Sequence, residues 1–182
     1  MSEIPVLETE RLILRGHTLA DLDALTAMWT DPAVTGQIGL PPQDEAACWQ
    51  RLLRYAGTWA LLGYGFWAIQ TKADGRYVGD LGFADFRRGL QPGWGDAAEA
   101  GWSIAPAAQG KGYAGEALKA GLVWADAHFG PGSRTVCMID PDNVPSQRLA
   151  ARAGYREWSR TEYKGSPVIL YERYAAPAGE AG

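Results

Sequence analysis

The chain of 182 residues has little of several things that commonly carry chemistry. Its two cysteines, Cys48 and Cys137, stand far apart with no C-x-x-C spacing, which excludes a disulfide framework and a thiolate metal site. The two histidines, His17 and His128, lie at no ligand spacing from a cysteine or carboxylate, so no metal is expected. Positive charge is not in excess: 17 Lys+Arg against 21 Asp+Glu leave −4, and no basic run supplies the counterion release on which nucleic-acid binding rests. The longest apolar stretch, residues 59–69, is broken by Gly63 and Gly65 and falls well short of the ~20 residues of a membrane helix. The start, Met1-Ser2-Glu3-Ile4-Pro5, has neither the basic flank nor the apolar run of a signal peptide, so a cytoplasmic location is the expectation, with no nucleic-acid or membrane partner.

Glycine is plentiful instead, 23 residues where ~7% is usual. They are scattered rather than periodic, which makes position decisive. Leu12 and Leu14 alternate with polar neighbours in a strand over residues 10–15. A helix follows from Asp21 to the stop at Asp31-Pro32, and a second from about Asp44 with Trp49, Leu52, Leu53, Ala56 and Ala60 on one face. Residues 64–71 and 77–86 read as a hairpin around Asp74-Gly75. Beyond them lie a strand over 99–104, a helix over 112–129, a β-branched strand over 135–139, a helix over 145–153 ended by Gly154, and strands over 157–163 and 168–174. The sum is one mixed α/β domain over residues 1–182, with about seven strands and four helices and a small-residue tail, 175–182, expected to be disordered.

The sharpest local signal is Gln109-Gly110-Lys111-Gly112-Tyr113-Ala114-Gly115, where a strand hands over to an amphipathic helix. Glycines at a helix start let the backbone approach a ligand, and the unpaired N–H groups of the first turn suit phosphate. A Walker loop is excluded, because Lys111 is followed by Gly112 and not by Ser or Thr. Gly110, Gly112 and Gly115 spell G-x-G-x-x-G, with Asp140 closing the next strand. However, residues 106–109 separate those glycines from their strand, and too little chain follows for a doubly wound sheet, so a nicotinamide-dinucleotide oxidoreductase is the weaker reading.

Gln109-x-x-Gly112-x-Ala114 resembles the pyrophosphate motif of the GNAT superfamily of N-acetyltransferases. Glu99-x-Gly101-Trp102-x-Ile104-x-Pro106, the helix start Tyr113-Ala114-x-Glu116-Ala117, Asn143-x-x-Ser146 before Ala153-Gly154-Tyr155, and the opening Glu8 to Arg15 are similar to the RimJ/RimL-like branch, which acetylates protein N-termini. The resemblance spans Glu8 to Tyr174 in order. It implies a mostly antiparallel sheet splayed between its fourth and fifth strands, acetyl-CoA as co-substrate, and direct attack by a bound amine in a ternary complex. The acceptor is a peptide N-terminus or a small-molecule amine, and a homodimer is left open. A non-catalytic CoA-binding module is the other alternative.

Carried over by position, the resemblance gives Ser103 and Ile104 to pairing with the pantetheine amides. It gives Gln109, Gly110, Lys111, Gly112, Tyr113 and Ala114 to the pyrophosphate, and Asn143 to the pantetheine arm. Asn143 before Pro145 is equally a helix N-cap. Glu99, on the strand leading into the split, is the candidate base, with a solvent-facing strand glutamate as the alternative and Asp80, Asp85 and Glu162 as the other strand carboxylates left open. Ser146 is the candidate partner of the leaving thiolate, standing in for a tyrosine whose usual position is Ala150 here; it is otherwise a polar first-turn residue. Arg148 and Arg152 are either solvated or near the adenosine 3′-phosphate. Trp29, Trp49, Tyr55, Trp59 and Trp67 are divided between core and acceptor pocket.

Overall fold

The computed structural model describes residues 3–177. Alternating apolar residues build eight strands: β1 (Leu7–Glu8), β2 (Leu12–Arg15), β3 (Phe66–Thr71), β4 (Tyr77–Ala84), β5 (Ala98–Ile104), β6 (Arg134–Ile139), β7 (Arg156–Tyr163) and β8 (Ser166–Tyr174). They form one sheet in the order β1-β2-β3-β4-β5-β6-β8-β7, antiparallel throughout except between β5 and β6. Five helices accompany it: α1 (Leu22–Trp29), α2 (Pro32–Thr35), α3 (Glu45–Leu62), α4 (Tyr113–Phe129) and α5 (Val144–Arg152). This is the mixed, mostly antiparallel sheet expected, with one two-residue strand and one short helix added.

The additions have local causes. Pro32 stops α1 but opens α2, because Asp31 caps the new helix through Ala33 N (2.8 Å) and proline is tolerated in a first turn. Within the expected tail, Ala175 is buried and donates to Ser133 O (2.8 Å), while Gly132 donates to Ala176 O, so these two residues continue the pairing of β8 with the chain entering β6. Residues 178–182 of that tail lie outside the described residues.

Helix α4 covers one face, setting Ala117, Leu118, Leu122 and Ala125 against Leu81, Phe83, Ala98 and Ala100 of the sheet. Helices α1 and α3 pair over the other face, above Phe66 and Ala84. The buried stripe of α3 is Cys48, Leu52, Tyr55 and Trp59, whereas Trp49 and Leu53, expected inward, are exposed. The helix is turned about one residue step from the purely apolar reading. The cause is Tyr55, whose hydroxyl finds a buried acceptor in Asp80 (3.3 Å) and whose ring stacks on Phe66 at 4.8 Å. Among the described residues no helix is long and apolar enough to cross a membrane.

Candidate active site

Strands β5 and β6 pair only at Ala98–Thr135 and Glu99–Val136. Beyond Glu99 they diverge, β5 staying with β4 and β6 with β8. The divergence leaves one edge of residues 100–104 without a neighbouring strand and opens a groove of about 1020 Å³. Trp102, Ser103 and Ile104 form one wall, Asn143 and Ser146 of the α5 start the other, and Gln109, Gly110, Gly112, Tyr113 and Ala114 the floor at the α4 start. Val34, Gln37 and Ile38 close the far side, and Arg152 lines the groove at the α4–α5 end. Lys111 and Arg148 are not among the lining residues.

Gly110 and Gly112 have φ of +75° and +80°, the left-handed region that side chains avoid. Gly112 is the N-cap of α4, and no side chain caps it. The first-turn N–H groups of α4 therefore open on the groove at the positive end of the helix dipole. Gln109 folds back, donating from Nε2 to Ile104 O (3.0 Å), which ties the loop to the open strand edge.

A brace from the other end of the chain holds this loop. Arg11 donates to Lys111 O (2.9 Å) and pairs with Glu116, Nε to Oε2 at 2.7 Å; its backbone N–H and the Thr9 hydroxyl donate to Oε1 at 2.8 and 2.6 Å. Burial raises the Glu116 carboxyl, but the hydrogen bonds from Thr9 and Arg11 outweigh it and hold the group below its usual range. Arg11→Ala is expected to raise the KM for acetyl-CoA about 3–10-fold, the worth of one exposed hydrogen-bonded pair of about 1 kcal/mol. Saturation kinetics check this, and an unchanged KM would remove Arg11 from loop positioning.

At the opposite wall, Ser146 Oγ accepts from the indole N–H of Trp102 (3.2 Å), which links β5 to the start of α5 across the gap. An indole only donates, so the serine keeps its own proton for another acceptor. Asn143 is buried and engaged at both ends: Oδ1 accepts from Ser146 N (3.1 Å) and Nδ2 donates to Gln37 O (2.7 Å). Its observed work is that of an N-cap and a tie to the turn at residues 36–38. Ala150, at the position of the family tyrosine, is fully buried.

Glu99 does not line the groove. It is 5% exposed and its two oxygens are taken by Arg88, from Nε at 2.7 Å and Nη2 at 2.8 Å. Burial pushes its carboxyl up and Arg88 only partly pulls it back. A free strand carboxylate, as expected for a base, is not what stands here. Cys137 is buried beside it, and burial, then the charge of Glu99, pushes its thiol well above the usual value. The carboxylates that do line the groove, Glu116 and Asp126, are paired with Arg11 and Arg173.

Residues 11–156 match the acetyltransferase (GNAT) domain family. The chain belongs to the GNAT family. It is an acyltransferase, similar at 28% identity over 146 residues to an uncharacterised N-acetyltransferase, p20, of Bacillus licheniformis, with 79% of this chain and 78% of that protein covered. A structure assigned to the GNAT family from Bordetella pertussis superposes with a TM-score of 0.82 at 36% identity, covering 93% of this chain and 99% of that one. RimL, a ribosomal L7/L12 α-N-protein acetyltransferase solved with coenzyme A, shares the fold at 20% identity and a TM-score of 0.74, with 94% and 98% of the chains covered.

GNAT enzymes use acetyl-CoA, and this groove suits it: uncapped amides for a pyrophosphate, an unpaired strand edge for the amides of the arm, and a length of cleft joining the two. Of the residues expected from sequence, Ser103, Ile104, Gln109, Gly110, Gly112, Tyr113, Ala114, Asn143 and Ser146 are brought together, while Glu99 and Lys111 stand apart. Sequence reasoning missed the roles of Arg11, Gln37 and Arg88. Each acts through a contact 11 to 106 residues distant in the chain, which no local pattern signals.

Proposed function

We propose that the chain, read as a single GNAT domain, is an acetyl-CoA-dependent N-acetyltransferase in which a bound primary amine attacks the thioester directly. The observation that carries this is Ser146, held at the divergence of β5 and β6 by an indole that leaves its proton free, at the end of a groove whose other end is an amide cradle. The nitrogen lone pair forms the C–N bond, the C–S bond breaks, and the departing thiolate receives the hydrogen bond of the Ser146 hydroxyl. The amine's proton leaves to water.

No unpaired carboxylate stands in the groove among the described residues, which bears on the acceptor. An α-amine with a pKa of ~7.7–8.0 is already about a quarter to two-fifths neutral near pH 7.5, whereas a lysine near 10.4 must lose its proton at a cost of about 4 kcal/mol. The reading is therefore of an α-amine-like acceptor, with kcat/KM rising with pH to a plateau above the acceptor's own pKa. A rate set by a group titrating near pH 5 would contradict it.

Cys137 takes no part as an acyl carrier. A thiol kept protonated by burial is a poor nucleophile. Cys137→Ala is expected to retain wild-type kcat, and intact mass after incubation with acetyl-CoA alone is expected to show no adduct. An acetyl adduct on Cys137 would overturn direct transfer. In thermal melts acetyl-CoA should stabilise the protein, by about 2.7 kcal/mol at 100 times its Kd, and NADH should not.

A further inference from the structure

On the sheet face opposite α4, three arginines gather that the reaction above does not use. Arg51 and Arg54 lie on α3, and Arg88 follows β4. Arg88 is answered by Glu99, its guanidinium flanked by Phe86 at 4.5 Å and Tyr163 at 4.8 Å. Arg54 shares the Phe86 ring at 5.7 Å and also lies near Tyr55 at 5.8 Å. Arg51 lies over the Trp29 indole at 3.4 Å and reaches the Tyr55 hydroxyl at 3.4 Å; its Nε is buried with no hydrogen-bond partner among the described residues.

Neither Arg51 nor Arg54 makes an ion pair among the described residues. The nearby Asp80 cannot supply one, being fully buried and engaged by His17 Nε2 (2.8 Å), Trp29 Nε1 (3.0 Å), Tyr55 Oη (3.3 Å) and Tyr77 Oη. Withdrawal of the Arg54 guanidinium from water, then Arg51 and, after a small opposing effect of Tyr55, Arg88, draws its pKa below the ordinary value. Arg54 as a residue is nonetheless exposed, so with Arg88 answered by Glu99 the cluster keeps two positive charges without an ion pair, Arg51 and Arg54, the latter open to solvent.

The patch lies farther along β5 from the groove. Glu99, which holds Arg88, lies four residues before the groove residue Ser103 on β5, about 13 Å at ~3.3 Å per residue. Between them Phe66 covers Gly101, where an added Cβ would stand 2.9 Å from the ring, and stacks on Tyr55. Planar guanidinium groups beside aromatic faces are weakly hydrated and take oxyanions by paired N–H bonds.

We propose that Arg54, with Arg51 and Arg88 beside it, binds an oxyanion carried by the acceptor, so that this enzyme selects amines bearing a carboxylate or phosphate within about a tripeptide's reach, ~10 Å, of the nitrogen. The proposal rests on the transferase reading above. It gives Glu99 a different task from that of a base, namely holding the Arg88 guanidinium in the patch.

The test compares acetylation of Ala-Ala-Xaa amides with Glu, phosphoserine, Gln or Lys at the third position, and of Ala-Glu amide against Ala-Gln amide, by wild type and Arg54→Gln. Wild type is expected to use the anionic member of each set at least tenfold better in kcat/KM, chiefly through KM; the Glu and phosphoserine arms tell carboxylate from phosphate. Arg54→Gln should abolish that preference, leave rates on the Gln peptide unchanged and melt like wild type, while Arg54→Lys should keep part of it. Equal use of Glu, Gln and Lys peptides, or a preference that survives Arg54→Gln, overturns the oxyanion site and leaves the transferase standing. Binding of acetyl-CoA with no amine acetylated overturns both.

Discussion

Replacing Ser146 with alanine is expected to lower kcat by about 10²–10⁴-fold while the KM for acetyl-CoA stays nearly constant. That range is the usual contribution of one positioned acid or base group. In the proposed mechanism the effect falls on kcat because the hydroxyl gains most when charge appears on the leaving sulfur, whereas the seat proposed for the cofactor's phosphates is the uncapped α4 start. Trp102→Phe removes only the indole N–H that positions the hydroxyl (3.2 Å), a net hydrogen bond of about 1 kcal/mol, so kcat should fall about 5–10-fold. In the double variant the Trp102 effect should vanish, since the indole acts through the serine. Full turnover by Ser146→Ala would remove this residue from the mechanism.

Gly112→Ala is expected to do the converse, raising the KM for acetyl-CoA about 5–30-fold with little change in kcat at saturation. At φ +80° an L-residue costs about 1–2 kcal/mol, and each ~1.4 kcal/mol is tenfold in binding. The added Cβ would also stand 3.4 Å from Arg11 Nη2, in contact with the guanidinium that pairs with Glu116. If the loop relaxes to a negative φ, the first-turn amides turn from the groove and binding falls by the same route. Titration of CoA by calorimetry measures this directly; unchanged affinity would show that the amides of this loop do not carry the phosphate contact.

The contrast between these variants reflects what was legible in the sequence. Gly110 and Gly112 at a strand-to-helix handover announce their backbone conformation, so the cradle could be located from local pattern. The split of the sheet was implied by the resemblance and is seen where β5–β6 pairing ends at Glu99–Val136. The α3 face was misjudged because hydrophobicity alone favours Trp49 and Leu53 over Cys48 and Tyr55, and the acceptor that lets Tyr55 enter the core, Asp80, belongs to another element. The pairing of Glu99 was hidden for a related reason: its partner Arg88 lies in an irregular loop whose path no periodicity reveals. The capping of α5 by Asn143 was readable before Pro145, and the structure displays it, with the second end of its amide given to Gln37.

The most direct test of the central claim is thiol detection of CoA released from acetyl-CoA across a panel of α-amino and side-chain amines, with the product identified by mass. Direct transfer at this groove predicts CoA release that depends strictly on the amine, matches acetylated product one for one, and collapses in Ser146→Ala. Tight CoA binding with no amine-dependent release across the panel would contradict it.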